Sequence, residues 1–199
     1  MSFSKIISTI LHPVFMPLIA IYLSLELVAE AGLVTNTVGV FYIIVFLSTV
    51  AIPLTSVLFL KKIKHISSLE MRDHKERSLP LLITAFSMTI GYYWLNDILI
   101  FFPLLRNEIL GAIFLIIFAS IVSRYWKISL HMLGVGGVVG VLFSLNILFG
   151  NLSNLLIIFI LTSGLLGYAR LKEKAHSSTQ VYLGFLIGFL IEFFCVLLL

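Results

Sequence analysis

Residues 132–150 read Met132-Leu-Gly-Val-Gly-Gly-Val-Val-Gly-Val-Leu-Phe-Ser-Leu-Asn-Ile-Leu-Phe-Gly150, a run without one charged side chain. A helix needs about 20 such residues to cross ~30 Å of hydrocarbon, so the run reads as a transmembrane helix. Further apolar stretches lie at 6–29, 37–60, 79–101, 107–123, 154–169 and 180–199. The whole chain agrees, with 60% of its 199 residues hydrophobic, 11% charged and a mean hydropathy of +1.15. That composition excludes a soluble domain. The expected fold is an all-α polytopic bundle of about seven spans, one integral membrane domain over residues 1–199. Asn96 and Asp97 interrupt the third stretch and the sixth is short, so six spans is the alternative count.

Ala29-Glu30-Ala31, with Lys5 ahead of the first stretch, has the outline of a signal-peptidase site. Pro13 and Pro17 break that stretch, and a retained first helix is expected. Cys195 is alone, which rules out an internal disulfide or a cysteine-based metal cluster.

Charge placement sets the orientation. With seven spans, Lys5, the 61–77 loop, Arg124, Lys127, Arg170, Lys172 and Lys174 fall on one face, leaving only Arg106 of the 13 Lys and Arg residues opposite. The positive-inside rule puts this face in the cytoplasm, with the N-terminus inside and the C-terminus outside, in what reads as a bacterial inner membrane. The 61–77 loop contains Arg72-Asp-His-Lys75-Glu-Arg77-Ser-Leu-Pro80, three cations ahead of a helix whose early proline suits a first turn. Its plain role is a solvated basic loop that attracts anionic lipid. Glu70, Asp73 and Glu76, spaced by three, offer one side of a short helix as a weak magnesium site.

Two histidines open two of the spans, His131 the fifth and His176 the seventh. Helix N-termini favour anions through their unpaired N–H groups and the helix dipole. Lys127 precedes His131 by four residues, and Arg170 precedes His176 by six. Converging, they would make a phosphate pocket in which one imidazole attacks phosphorus and the other protonates the leaving oxygen. Gln180, at i+4 from His176, shares its helical face and can hold Nδ1 so that Nε2 points outward. Gly136 with Gly140, and Gly184 with Gly188, are small-xxx-small pairs that let the two histidine-bearing helices approach closely. The competing reading of each histidine alone is a snorkelling or capping residue.

Ala169-Arg170-(five residues)-His176-(three residues)-Gln180, followed by Val181-Tyr182-Leu183-Gly184, resembles the third signature of the type 2 phosphatidic acid phosphatases, Ser-Arg-(five)-His-(three)-Asp. Ser129-Leu130-His131 resembles a reduced form of their second signature, Pro-Ser-Gly-His. The resemblance covers about residues 124–199, and the core it implies runs over about 107–199 with the motif-bearing loop 61–80. It implies that His176 is the nucleophile, forming a phosphohistidine, and His131 the general acid. Arg170 and Ser129 would hold phosphate oxygens, with no metal and no cofactor. Its partners would be a lipid phosphate or diphosphate and membrane lipids, not nucleic acid.

The chain departs from that pattern in three places. Gln180 stands where the family has aspartate, so it orients His176 without supplying negative charge; an analogous change in a hydrolytic triad costs ~10⁴ in rate. Ile128 and Leu130 stand where the second signature has proline and glycine. The first signature, Lys-(six)-Arg-Pro, is matched in spacing by Arg72-(six)-Leu79-Pro80, with Lys75 and Arg77 as substitutes for the missing arginine. Arg124 and Lys127, at the end of the fourth span, are the other source of those cations. Two other functions remain open from the residues: a non-catalytic lipid-phosphate binder or carrier, and a magnesium-dependent prenyl-transfer enzyme using Glu70, Asp73 and Glu76. His12, beside Pro13, is expected to pack or cap. Glu192 is ionisable inside the last span and therefore a functional candidate, with pairing to Arg106 as the plainer alternative.

Overall fold

The computed structural model describes residues 3–29, 35–71 and 73–198; Arg72 and the Glu30-Ala31 part of the cleavage-like triplet lie outside them. The chain is an all-α polytopic membrane bundle. Its helices are α1 (Phe3–Ile10), α2 (Met16–Ala29), α3 (Thr35–Phe46), α4 (Ile52–Lys62), α5 (Ser78–Trp94), α6 (Asn96–Leu99), α7 (Pro103–Val122), α8 (Leu130–Phe149), α9 (Ser153–Lys172) and α10 (Ser178–Leu198). The described residues contain no strand.

Among the described residues six segments have the length and hydropathy of a membrane span: Phe3–Glu26, Val38–Lys62, Pro103–Val122, Leu130–Phe149, Ser153–Lys172 and Ser178–Leu198. The third apolar stretch of the sequence is the exception. It breaks at Leu95, leaving α5 with 17 residues, or about 26 Å of helix. α5 nevertheless runs antiparallel to α7 over most of its length. Ser78 and Ser120 meet at one end through a 3.1 Å Oγ to Oγ bond. Leu95 and Leu99 pack with Leu105 and Ile109 at the other.

Two departures from straight helix have local causes. The first span is bent at His12, where Pro13 opens a short 3₁₀ turn (Pro13–Phe15) between α1 and α2. The second carries a π turn (Leu47–Ala51) just ahead of Pro53. Proline lacks an N–H and crowds the preceding turn, and a π turn is a usual way to absorb that.

α8 is the central helix, with Val135, Leu142 and Leu145 fully buried in the largest core cluster. It lies against α10 at backbone distance. A Cβ at Gly136 would overlap the Phe185 carbonyl, one at Gly140 the Phe189 carbonyl, and one at Gly188 the Leu133 carbonyl. A Cβ at Gly184 would come within 2.9 Å of the Ser129 oxygen. Only glycine permits this approach, which brings the starts of α8 and α10, and with them both histidines, to the same end of the bundle.

Candidate functional site

Backbone fixes the floor of the site. The Ser129 N–H donates to the Gln180 carbonyl at 3.4 Å, tying the residue before α8 to the first turn of α10. His176 precedes α10 and is 9% exposed. Its Nδ1 lies 3.0 Å from Gln180 Oε1. The same amide oxygen accepts the Ser177 backbone N–H at 3.2 Å. A backbone donor there requires the oxygen, not the nitrogen, at that position, so the His176 proton sits on Nδ1 and Nε2 carries the lone pair. Burial, above all, pulls the His176 pKa down to about 4. The Gln180 hydrogen bond works against that shift, and the charges of Arg77, Arg170 and Lys127 add to it. The ring is therefore neutral near pH 7 with three cations around it.

Those cations reach it from three elements. Arg170 ends α9; its Nη1 pairs with Glu173 at 2.9 Å, while its Nε is buried without a partner. Arg77 comes from the loop after α4. Its Nε donates to the Met71 carbonyl at 3.0 Å and its Nη1 to the Ile128 carbonyl at 3.4 Å. Burial lowers its pKa, with the charge of Arg170 adding to the effect and Asp73 opposing it. Lys127 stands in the turn before α8. The sequence left two sources for the first cation group, and the structure draws one residue from each, Arg77 from the loop and Lys127 from the α7–α8 turn. Arg124 and Lys75 are placed differently. Arg124 is exposed and its Nε donates to Ser78 Oγ at 3.0 Å, bracing α5 against α7. Lys75 is exposed on a 3₁₀ turn (His74–Arg77) capped by Asp73. Arg72 lies outside the described residues. Ser129 is wholly buried, its Oγ without a partner.

His131 joins the group from the first turn of α8, close enough to interact electrostatically with Arg170 and His176. Its Nε2 lies 3.0 Å from the Ser8 carbonyl. A carbonyl only accepts, so this nitrogen carries the ring proton. The general-acid role expected of His131 therefore requires exchanging Ser8 for the leaving oxygen. The His12 and His131 rings meet at a steep angle with centroids 5.5 Å apart, and His12 Nδ1 accepts the Val14 N–H at 3.3 Å as the cap of the 3₁₀ turn.

Three contributors were not singled out from sequence. Ser8 holds His131 through its carbonyl and donates its Oγ to Glu173 at 3.4 Å; no local pattern announces such a contact between the two ends of the chain. Glu173, at i+3 from Arg170, was legible as a helical ion pair. Glu108, a carboxylate inside a span, was legible by the rule that marked Glu192.

Two members of the acidic triplet are engaged locally. Asp73 accepts the Lys75 N–H at 3.0 Å, and Glu76 takes the Ser67 N–H and Oγ at 3.1 and 3.0 Å. Among the described residues no three His, Cys, Asp or Glu side chains gather as metal ligands would.

Beneath the cationic end lies a chamber of about 400 Å³, apolar along most of its wall. Arg77, His12 and Met71 line its upper part, and Glu108 and Glu192 its lower part. No family model, no curated protein and no solved structure matches the chain.

Proposed function

We propose that this protein is a metal-independent phosphatase acting on a lipid phosphate or diphosphate at the membrane surface, a divergent relative of the type 2 phosphatidic acid phosphatases it resembles. The observation that carries the reading is the state of His176: neutral, with Nδ1 held by Gln180, Nε2 bearing the lone pair, and Arg77, Arg170 and Lys127 around it. In the proposed reaction Nε2 attacks phosphorus, an N–P bond forms and the bond to the lipid oxygen breaks. His131, released from Ser8, delivers its Nε2 proton to that oxygen while its Nδ1 takes up a proton from solvent, so that the ring stays neutral. Water then cleaves the phosphohistidine, returning a proton to His131 and inorganic phosphate to solution. Arg170 Nε, Ser129 Oγ and the Arg77 guanidinium supply donors to the phosphate oxygens. The proposed setting is a bacterial cytoplasmic membrane with the histidine end toward the cytoplasm, from the cation bias.

The test is a trapping experiment. Protein mixed with a lipid phosphate in EDTA and quenched in alkali should carry one added phosphoryl group on the peptide containing His176. Trapping on another residue, or none while phosphate is being released, contradicts the mechanism.

A non-catalytic lipid-phosphate carrier is the second reading. Two observations favour it: the His131 proton is engaged by Ser8, and an amide replaces the family's carboxylate at residue 180. Saturable binding of lipid phosphate with no release would select it.

A further inference from the structure

We infer that the lower chamber is a second binding site, separate from the phosphate pocket, which takes the ammonium group of a long-chain amine between Glu108 and Glu192. Both carboxylates are buried, at 3% and 4% exposure, and both line the chamber. Each stands 14 residues from the histidine-side end of its helix, Val122 on α7 and Ser178 on α10, or about 20 Å down the bundle. They face one another across one turn. The Glu192 carboxylate sits in a notch at Gly111, where a Cβ would overlap it, and Gly111 is at i+3 from Glu108 on α7. Gly137 on α8 completes the notch, since a Cβ there would stand 3.2 Å from Glu192 Cγ.

Each carboxylate keeps one buried oxygen unpartnered, and the polar neighbour of Glu108 is the Ser24 hydroxyl. Glu108 Oε1 and Glu192 Oε2 are buried and have no hydrogen-bond partner. Arg106, the cation nearest in sequence to Glu108, points outward and is exposed. Carboxylate charge at this depth is costly, so both groups can ionise only when a cation or N–H donors meet them.

The chamber wall says what that is. Around the carboxylates it is built from Ala112, Leu115, Ile116, Leu133 and Val138. A bare divalent cation would need six or more oxygens, which this wall does not hold. An ammonium on an apolar chain fits both features, its charge and N–H groups toward the carboxylates and its chain against the wall. The volume is within the ~300–1,000 Å³ range of small-ligand sites. Leu54 and Leu58 of α4 line the chamber and are also exposed on the bundle surface, at 41% and 56%, giving a route in from the bilayer. Arg77 at the upper end repels the ammonium and so fixes which way the ligand lies.

Binding of radiolabelled dodecylamine to the full-length protein in maltoside micelles at pH 7 tests this, with no need for catalytic activity. One saturable site is expected, weakened about tenfold or more by Glu192→Gln and by Glu108→Gln. Ala112→Phe, which fills the chamber and keeps both carboxylates, should weaken it as well. Dodecanol should not compete, and inorganic phosphate should not displace the amine. Size-exclusion elution identifies any variant that fails to fold. Binding unchanged in the folded variants, or competition by dodecanol equal to that of the amine, overturns the inference.

Discussion

Gln180 decides which nitrogen of His176 is free, and that relation was legible in the sequence because i and i+4 share a helical face. Its consequence is a pH profile. A histidine lowered to about 4 is neutral at pH 7 and stays neutral until the pH falls through that value. If Nε2 attacks phosphorus, kcat/KM measured against pH should hold level from pH 7 to about 5 and lose its acid limb near 4. A limb at the ordinary histidine value of about 6.5 would contradict the assigned state. The same lowering has a signed effect on stability. The unfolded ring takes up its proton first, so stability contributed by the neutral ring is present above about 6.5 and declines as the pH falls toward 4. The bond from His131 to Ser8 was not legible at this scale. It depends on α1 folding over the end of α8, which no spacing within either helix encodes.

At the scale of elements, the glycine pairs told the truth about proximity because a helix without Cβ atoms on one face can only be exploited by a neighbour that comes close. Gly188→Leu should therefore force α10 away from the Leu133 carbonyl, with a cost of about 1–3 kcal/mol or more and a lower melting temperature in detergent. Gly164 on α9 is the control, since a Cβ there meets nothing within 4 Å. Gly164→Leu should leave the melting temperature unchanged; equal losses from the two variants would contradict the close-packed seam. Helix ends were less legible. Hydropathy carried the third span through Phe101, because Ile98, Leu99, Ile100 and Phe101 are as apolar as the helix before them. Hydropathy reports solvent, not helical continuity, and the break at Leu95 was signalled only by Asn96 and Asp97. The π turn ahead of Pro53 likewise follows from backbone geometry that an apolar run does not display.

For the molecule as a whole, composition sufficed to give an all-α membrane bundle, and the gathering of cations at one end followed from counting passes. The chamber did not follow, because its wall is assembled from α2, α4, α5, α7, α8 and α10 at once. The proposed orientation predicts that a reporter fused after Leu199 is active only if it works outside the cytoplasm. It also predicts that cysteines introduced at Lys62 and Lys64 are labelled only from the cytoplasmic side. Label reaching them from outside would invert the protein. The most direct test of the central claim is phosphate release from a panel of lipid phosphates by purified protein in EDTA, comparing wild type with His176→Ala. Release by wild type, lost in the variant, is the expected result. Equal inactivity of both on lipids that both bind, or release that EDTA abolishes, would contradict a metal-independent phosphatase working through His176.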